Sequence, residues 1–142
     1  MPFVHATAAG LDAEVPDQPV AREPGGFCSR QERAVEDGVL QATYVHRAPF
    51  QLLLRLTPPD GAGTTVLTLL QPEDADSTRV YTCLFLAGAD GRPVPAEVVA
   101  AEVAAEQAAL VEDLRLVAGT ATTGLPLLLR DELHVRSDRL GV

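Results

Sequence analysis

The feature that most constrains the fold is an uninterrupted segment, Pro95 to Ala118, rich in alanine, valine, leucine and glutamate. At about 100° per residue its apolar residues fall into two neighbouring rows: Val99, Val103, Leu110, Leu114 and Val117 in the first, and Val98, Ala105, Ala109 and Leu116 in the second. Proline is tolerated in the first turn of a helix, and Gly119 favours an end after Ala118. We therefore predict one long helix.

Three acids, Glu102, Glu106 and Asp113, lie between these two apolar rows. A carboxylate on the buried face of a helix is costly unless it meets a cation, a hydrogen-bond donor or water. Either the helix crosses a wet or metal-containing cavity, or only the first row is buried and the acids line the solvent edge. The pattern alone favours the second interpretation, and both stay open at this point.

Four segments before the helix alternate side chains with the period of a strand. They are Val39–Arg47, Phe50–Thr57, Thr64–Gln71 and Thr78–Ala87. Short turns rich in proline, glycine and acids join them, which indicates antiparallel neighbours. Strands followed by a long helix predict an α+β fold in which a curved sheet is covered by the helix, with any cavity between the two.

The strand pattern does not decide which face of the sheet points toward the helix. The cavity wall is formed either by Leu52, Leu54, Val66 and Leu84 or by their alternates.

The chain of 142 residues is sized for one domain, with an irregular lead-in over residues 1–38 and the folded domain over residues 39–142. The net charge is −9 and all eleven basic residues are arginine, which argues against nucleic-acid binding. There is no apolar run of about 18 residues and no signal-peptide pattern, so we expect no membrane span and a cytoplasmic location. Cys28 and Cys83 sit in no zinc or iron–sulfur spacing.

Three segments, in order, carry a family resemblance: Gln71–Val80, Val111–Val117, and Leu125–Leu127 followed by Asp131–Arg139. Together they resemble the C-terminal catalytic domain of Rieske-type non-haem iron oxygenases, the ring-hydroxylating alpha-subunit type, over roughly Val39 to Val142. The resemblance implies a helix-grip fold of the START type, a curved antiparallel sheet around one long C-terminal helix. This agrees with the α+β arrangement expected from the strand and helix patterns.

The resemblance also implies a metal ligand. In the family the long helix supplies the carboxylate of a site with two histidines and one carboxylate on Fe(II), and the Glu-Asp-Leu motif places that role on Asp113. This chain departs from the family, since His5, His46 and His134 lack the spacing of the family's histidine pair and Cys28 lacks a histidine partner. We expect this chain to bind no [2Fe–2S] cluster, and to bind iron only with histidines supplied from elsewhere, such as a Rieske-domain polypeptide or an oxygenase subunit.

By resemblance, the function is the O2-dependent hydroxylation or demethylation of an aromatic or other ring substrate, by an enzyme that this chain does not complete alone. One alternative is a metal-free helix-grip module that binds a small apolar or aromatic ligand. Another is a structural subunit of a larger oxygenase.

Overall fold

The computed structural model describes residues 19–74 and 77–119. Six strands, along which side chains alternate between the two faces, form a meander that is followed by one helix. The strands are β1 (Val20–Glu23), β2 (Gly26–Val35), β3 (Gly38–Arg47), β4 (Gln51–Thr57), β5 (Gly63–Pro72) and β6 (Thr78–Ala87). A 3-10 turn at Ala89–Gly91 leads to the helix α1 (Ala96–Ala118). Each strand pairs antiparallel with the next, in the order β1-β2-β3-β4-β5-β6.

The helix and the four strands expected from periodicity are confirmed, each to within about two residues at its ends. A curved antiparallel sheet with one long C-terminal helix is the expected α+β helix-grip architecture. The register also settles which residues share a face. Tyr44, Leu54, Val66 and Leu84 lie opposite one another across β3 to β6, and Leu52 lies on the same face. We call this the inner face, because residues of the same face meet the helix at one end of the sheet.

The irregular lead-in expected over residues 1–38 is wrong for residues 20–35, which form β1 and β2. The Pro24-Gly25 pair joins the two strands in a tight turn, with Glu23 opposite Gly26. Gly25 has φ of 78°, in the left-handed region that favours glycine. β2 then pairs with β3 along its whole length, from Gly26 opposite Arg47 to Val35 opposite Gly38. Residues 1–18 lie outside the described part of the chain.

The helix α1 begins where the amides of Val98 and Val99 both donate to the carbonyl of Pro95, each at 3.1 Å. None of its residues is fully buried. Five residues in the body of the helix are half-buried, and four of them are acids: Glu102, Glu106, Ala109, Glu112 and Asp113.

Apolar residues of both rows are, in contrast, largely exposed, reaching 56% for Leu114 and 61% for Val117. The interpretation in which the first apolar row is buried and the acids line the solvent edge is therefore wrong. Spacings of four, three and four residues place Glu102, Glu106, Ala109 and Asp113 on one side of the helix, and that side is the more covered one.

Full burial among the described residues is confined to β2 and β3. The residues below one-tenth exposure are Cys28, Ser29, Gln31 and Ala42. Ser29, Gln31 and Ala42 lie on the inner face, and Cys28 lies on the opposite, outer face. Two of the three buried inner-face residues are thus polar, which is unusual for the best-covered part of a sheet.

No helix in the described residues has both the length and the apolar character needed to cross a membrane.

Gly26 provides a test of the β1–β2–β3 pairing. A side-chain Cβ at this position would overlap the backbone carbonyl of His46 on β3. Gly26→Ala should therefore lower the free energy of unfolding by about 1–3 kcal/mol, since neither backbone can move without breaking the ladder. Urea denaturation followed by circular dichroism measures this change.

The matched control is Gly63→Ala at the start of β5, where the nearest atom to an added Cβ is 3.8 Å away. Its stability should stay within about 0.5 kcal/mol of wild type. Equal stability of the two variants would contradict the close approach of β2 to β3.

Candidate functional site

A cleft of about 380 Å³ opens where the inner face of the sheet meets the first turns of α1. Its sheet side includes Leu40, Leu56, Thr64 and Leu86, and its helix side includes Val98 and Glu102. The wall is predominantly apolar, and Glu102 is its acidic side chain. A small cleft with apolar walls and few polar groups is the ordinary form of a ligand site.

The acidic side of α1 continues from this cleft along the helix through Glu106 to Glu112 and Asp113. All these residues are half-buried. Glu106, Glu112 and Asp113 each make a hydrogen bond, an ion pair or another electrostatic interaction. These three carboxylates therefore have partners, as expected from the cost of burying an unpaired charge.

A second polar group lies on the inner face of β2 and β3, and we call Ser29, Gln31 and His46 the polar patch. Ser29 is 1% exposed and Gln31 6% exposed. Their side-chain oxygen and nitrogen atoms, and Nδ1 of His46, are buried without a hydrogen-bond partner among the described residues. Such unpaired buried groups are rare in proteins and each costs about 1–3 kcal/mol.

The strand register fixes the shape of the polar patch. Ser29 and Gln31 are two positions apart on β2, so their side chains project from the same face. His46 of β3 lies opposite Phe27 of β2. This pair is the next one on the inner face after Ser29 and Tyr44. The rings of Phe27 and His46 stack with centroids 4.6 Å apart and an angle of 25°. The stacking fixes the plane of the imidazole while Nδ1 stays unpaired.

Two arginines lie on the inner face next to the polar patch: Arg22 of β1, opposite Phe27, and Arg33 of β2. Arg33, two residues beyond Gln31 on β2, donates a long hydrogen bond of 3.5 Å to the hydroxyl of Tyr44.

The described residues do not by themselves form the iron site that the family resemblance implies. Within residues 19–74 and 77–119 no three His, Cys, Asp or Glu side chains come together as a metal would require. Asp113 is one half-buried carboxylate, whereas an iron site of this type needs two histidines beside it. The residues present therefore do not fit a complete mononuclear iron centre.

The outer face carries a separate charged cluster at the β1–β2 hairpin. Arg47 donates to Glu23 at 3.0 Å and to the carbonyl of Pro24 at 2.7 Å, and Arg30 lies 3.7 Å from Glu23. A hydrogen bond with the thiol of Cys28 is the main cause that lowers the pKa of Glu23, helped by Arg47 and Arg30. The same hydrogen bond, together with burial, raises the pKa of Cys28. This cluster ties the hairpin to β3.

The positions of the residues singled out from sequence are now clear. Asp113 is half-buried on α1, and both its inward direction and its metal-binding role stay predictions. His46 lies in the polar patch, while His5 and His134 fall outside the described residues. Ser29 and Gln31 were not expected from sequence, and their only signal is the Pro24-Gly25 turn that marks the start of an unrecognised strand.

Comparison with known families gives one match. The family model for the vanillate O-demethylase oxygenase C-terminal domain matches residues 13–142. The chain belongs to this family. Vanillate O-demethylase oxygenase C-terminal domains are part of the Rieske-type oxygenases, so the family resemblance drawn from three short segments is confirmed. No curated protein matches the chain in a sequence comparison.

The family match includes β1 and β2, since it begins at residue 13. The polar patch, the cleft and the acidic side of α1 therefore all lie inside the Rieske-type oxygenase C-terminal domain.

The outer-face cluster predicts how stability depends on pH. The folded protein holds the pKa of Glu23 below its ordinary value of 4.5, so the ionised carboxyl stabilises the fold above that value. This contribution is lost as the pH falls from about 4.5 through the lowered pKa of the folded state. Glu23→Gln should therefore show a smaller loss of stability on acidification than wild type, measured by urea denaturation between neutral and acidic pH.

Arg55→Gln is the control, because Arg55 lies on the same outer face, whereas the ion pairs of Glu23 among the described residues are with Arg30 and Arg47. It should retain the acid dependence of wild type. An identical acid profile for Glu23→Gln and wild type would contradict the assigned interactions.

The two cysteines should differ in reactivity. Cys28 is 1% exposed with a raised pKa, whereas Cys83 is exposed. Because the thiolate is the reactive form, iodoacetamide at neutral pH should modify Cys83 well before Cys28. Mass spectrometry of peptides from the native chain measures the order, and unfolding in urea should abolish the difference. Equal native rates would show that the β1–β2 hairpin leaves Cys28 open.

Proposed function

We propose that the chain is the C-terminal catalytic-domain portion of a Rieske-type oxygenase that hydroxylates or demethylates an aromatic ring compound with O2. The match to the vanillate O-demethylase oxygenase C-terminal domain over residues 13–142 is the observation that carries this proposal. The family description names an O-demethylase of vanillate. O-Demethylation is therefore the first reaction to test.

The part proposed for this chain is to enclose the ring. The cleft at the end of the inner face combines the side chains of Leu40, Leu56 and Leu86 with Val98 of α1. Apolar walls remove a ring from water at about 25 cal/mol per Å² of apolar area buried. The volume of about 380 Å³ is in the range of sites for small molecules.

The proposed role of Asp113 is to provide the single carboxylate ligand of a mononuclear Fe(II). Its place on the covered side of α1, in the Glu-Asp-Leu motif of the family resemblance, supports this role. The histidine ligands and the [2Fe–2S] cluster would come from outside the described residues, from a Rieske-domain polypeptide or another oxygenase subunit. We derive no iron-dependent step from the described residues, and the cytoplasmic location stays a prediction.

A second candidate function is a metal-free module that binds a small apolar ligand. The cleft between the sheet and α1 favours it, because the apolar wall is complete without any metal. In this case the acids of α1 would form a hydrated polar border.

Metal analysis separates the two candidates. The full chain is purified alone and after mixing with a Rieske-domain polypeptide encoded beside it, and iron is measured after removal of unbound metal. We expect about one iron per chain only in the mixture, since one carboxylate holds Fe(II) weakly. Asp113→Ala should abolish this iron.

Glu112→Ala is the matched control, because Glu112 is the half-buried neighbour of Asp113 on α1. It should retain iron. Retention of iron by Asp113→Ala would contradict the ligand role. If the mixture binds no iron while an apolar fluorescent probe still binds in the cleft, the metal-free module is supported instead.

A further inference from the structure

The outer face of the sheet holds a second cleft, of about 300 Å³, which we call the outer cleft. Its lining combines charged, polar and apolar side chains: Glu23, Arg30, Thr43, Val45, Arg47, Gln51, Leu53, Arg55 and Leu67. None of these residues lines the cleft beneath α1. The two clefts lie on opposite faces of the sheet and are therefore separate sites.

The strand register arranges most of the outer cleft in three rows that cross the strands. The middle row is apolar and half-buried, and consists of Val45, Leu53 and Leu67. The flanking rows carry the arginines, with Arg30, Thr43 and Arg55 on one side and Arg47 and Gln51 on the other. Neighbouring rows of one face are two residues apart along each strand, or about 7 Å. The apolar row therefore forms a floor between two rows that bear guanidinium groups.

The outer cleft is positively charged, although the chain has a net charge of −9. Three guanidinium groups and one carboxylate line it, which gives a net formal charge of +2. Glu23 lies 3.0 Å from Arg47 and 3.7 Å from Arg30, so these two arginines share one carboxylate. Arg55 is exposed, and no hydrogen bond or ion pair joins it to another described residue.

Two further charged residues lie on the strands of the outer face, and neither lines the outer cleft. Glu32 is on β2, two positions beyond Arg30 and opposite Gln41. Arg79, near the start of β6, pairs with Glu73 at 2.7 Å. Even with Glu32 counted, the guanidinium groups in and beside the outer cleft outnumber the carboxylates by three to two. The local charge therefore attracts an anion.

We propose that the outer cleft binds a small organic carboxylate that has an apolar body. A guanidinium group binds a carboxylate through two parallel N–H donors, and no described residue occupies those of Arg55. The apolar floor removes the body of the ligand from water, and a volume of about 300 Å³ is that of a small-molecule site. The inference does not rest on the proposed function, since the two clefts share no residue.

Three probes separate the two demands that the outer cleft makes on a ligand. Benzoate meets both, benzamide has nearly the same shape without the charge, and acetate has the charge without the ring. Each is titrated into the isotope-labelled full chain, and the shifts of the backbone amides in NMR spectra give both affinity and location. Benzoate should bind about tenfold more tightly than either of the others. Its shifts should centre on Thr43, Val45 and Leu53.

The decisive variant is Arg55→Gln, which removes the guanidinium group that no described residue pairs. It should weaken the binding of benzoate by about three- to tenfold and leave that of benzamide unchanged. Its urea midpoint should equal that of wild type, which separates a binding role from a structural one. Arg79→Gln is the control, because it makes the same change of charge on the same face outside the outer cleft. It should keep the affinity of wild type.

Any of four results would overturn the proposal. They are benzoate binding no tighter than that of benzamide or acetate, unchanged benzoate affinity in Arg55→Gln, shifts centred on Leu86 and Val98 beneath α1, and no binding of benzoate at millimolar concentration. Tighter binding of a tetraglutamate peptide than of benzoate would also overturn it, since the outer cleft would then fit an acidic protein segment. None of these measurements depends on iron, so failure of the proposed oxygenase function leaves the outer cleft to be judged separately.

Discussion

The arrangement of this domain depends on where the carboxylates of α1 lie. Glu102, Glu106 and Asp113 share one side of the helix with Ala109, and this side is the more covered one, although apolar rows flank it. A buried carboxylate without a partner costs several kcal/mol, which is more than the burial of a valine or leucine side chain returns. Glu106 and Asp113 each make a hydrogen bond, an ion pair or another electrostatic interaction, so the acids can remain on the less exposed side of the helix.

The inner face of the sheet is divided into an apolar part and a polar part. The strands β4 to β6 present leucine, valine and threonine, whereas β2 and β3 present Ser29, Gln31 and His46. The inner face is therefore apolar over β4 to β6 and carries hydrogen-bonding groups over β2 and β3. The outer-face cluster of Glu23, Arg30 and Arg47 holds the β1–β2 hairpin in place and so fixes the polar side.

The success and failure of sequence prediction have one physical explanation. The strands β3 to β6 and the helix carry regular apolar periods, so their positions were predicted closely. In β2 the alternation exists, but the inner positions between Phe27 and Val35 are Ser29, Gln31 and Arg33, so no continuous apolar period marks the strand. The polar residues at these positions therefore removed the apolar pattern by which β2 would have been recognised.

The candidate site was only partly predictable for the same reason. The position of Asp113 followed from a motif and a helical period, both of which are local properties of the sequence. The burial of Ser29 and Gln31 depends on pairing between strands and on what covers the sheet, which no local pattern records. The choice of inner face likewise required the register, since both faces of β3 to β5 carry apolar residues.

The central claim is that the acidic side of α1 is the less exposed side of the helix, and cysteine accessibility tests this most directly. Two alanines of the helix are replaced in separate chains that also carry Cys83→Ser: Ala109, half-buried on the acidic side, and Ala104, exposed on the opposite side. The rate of thiol labelling in the native chain is then compared with the rate in urea. The account predicts slower native labelling for Ala109→Cys than for Ala104→Cys, with equal rates after unfolding. Equal native rates, or faster labelling at position 109, would contradict it.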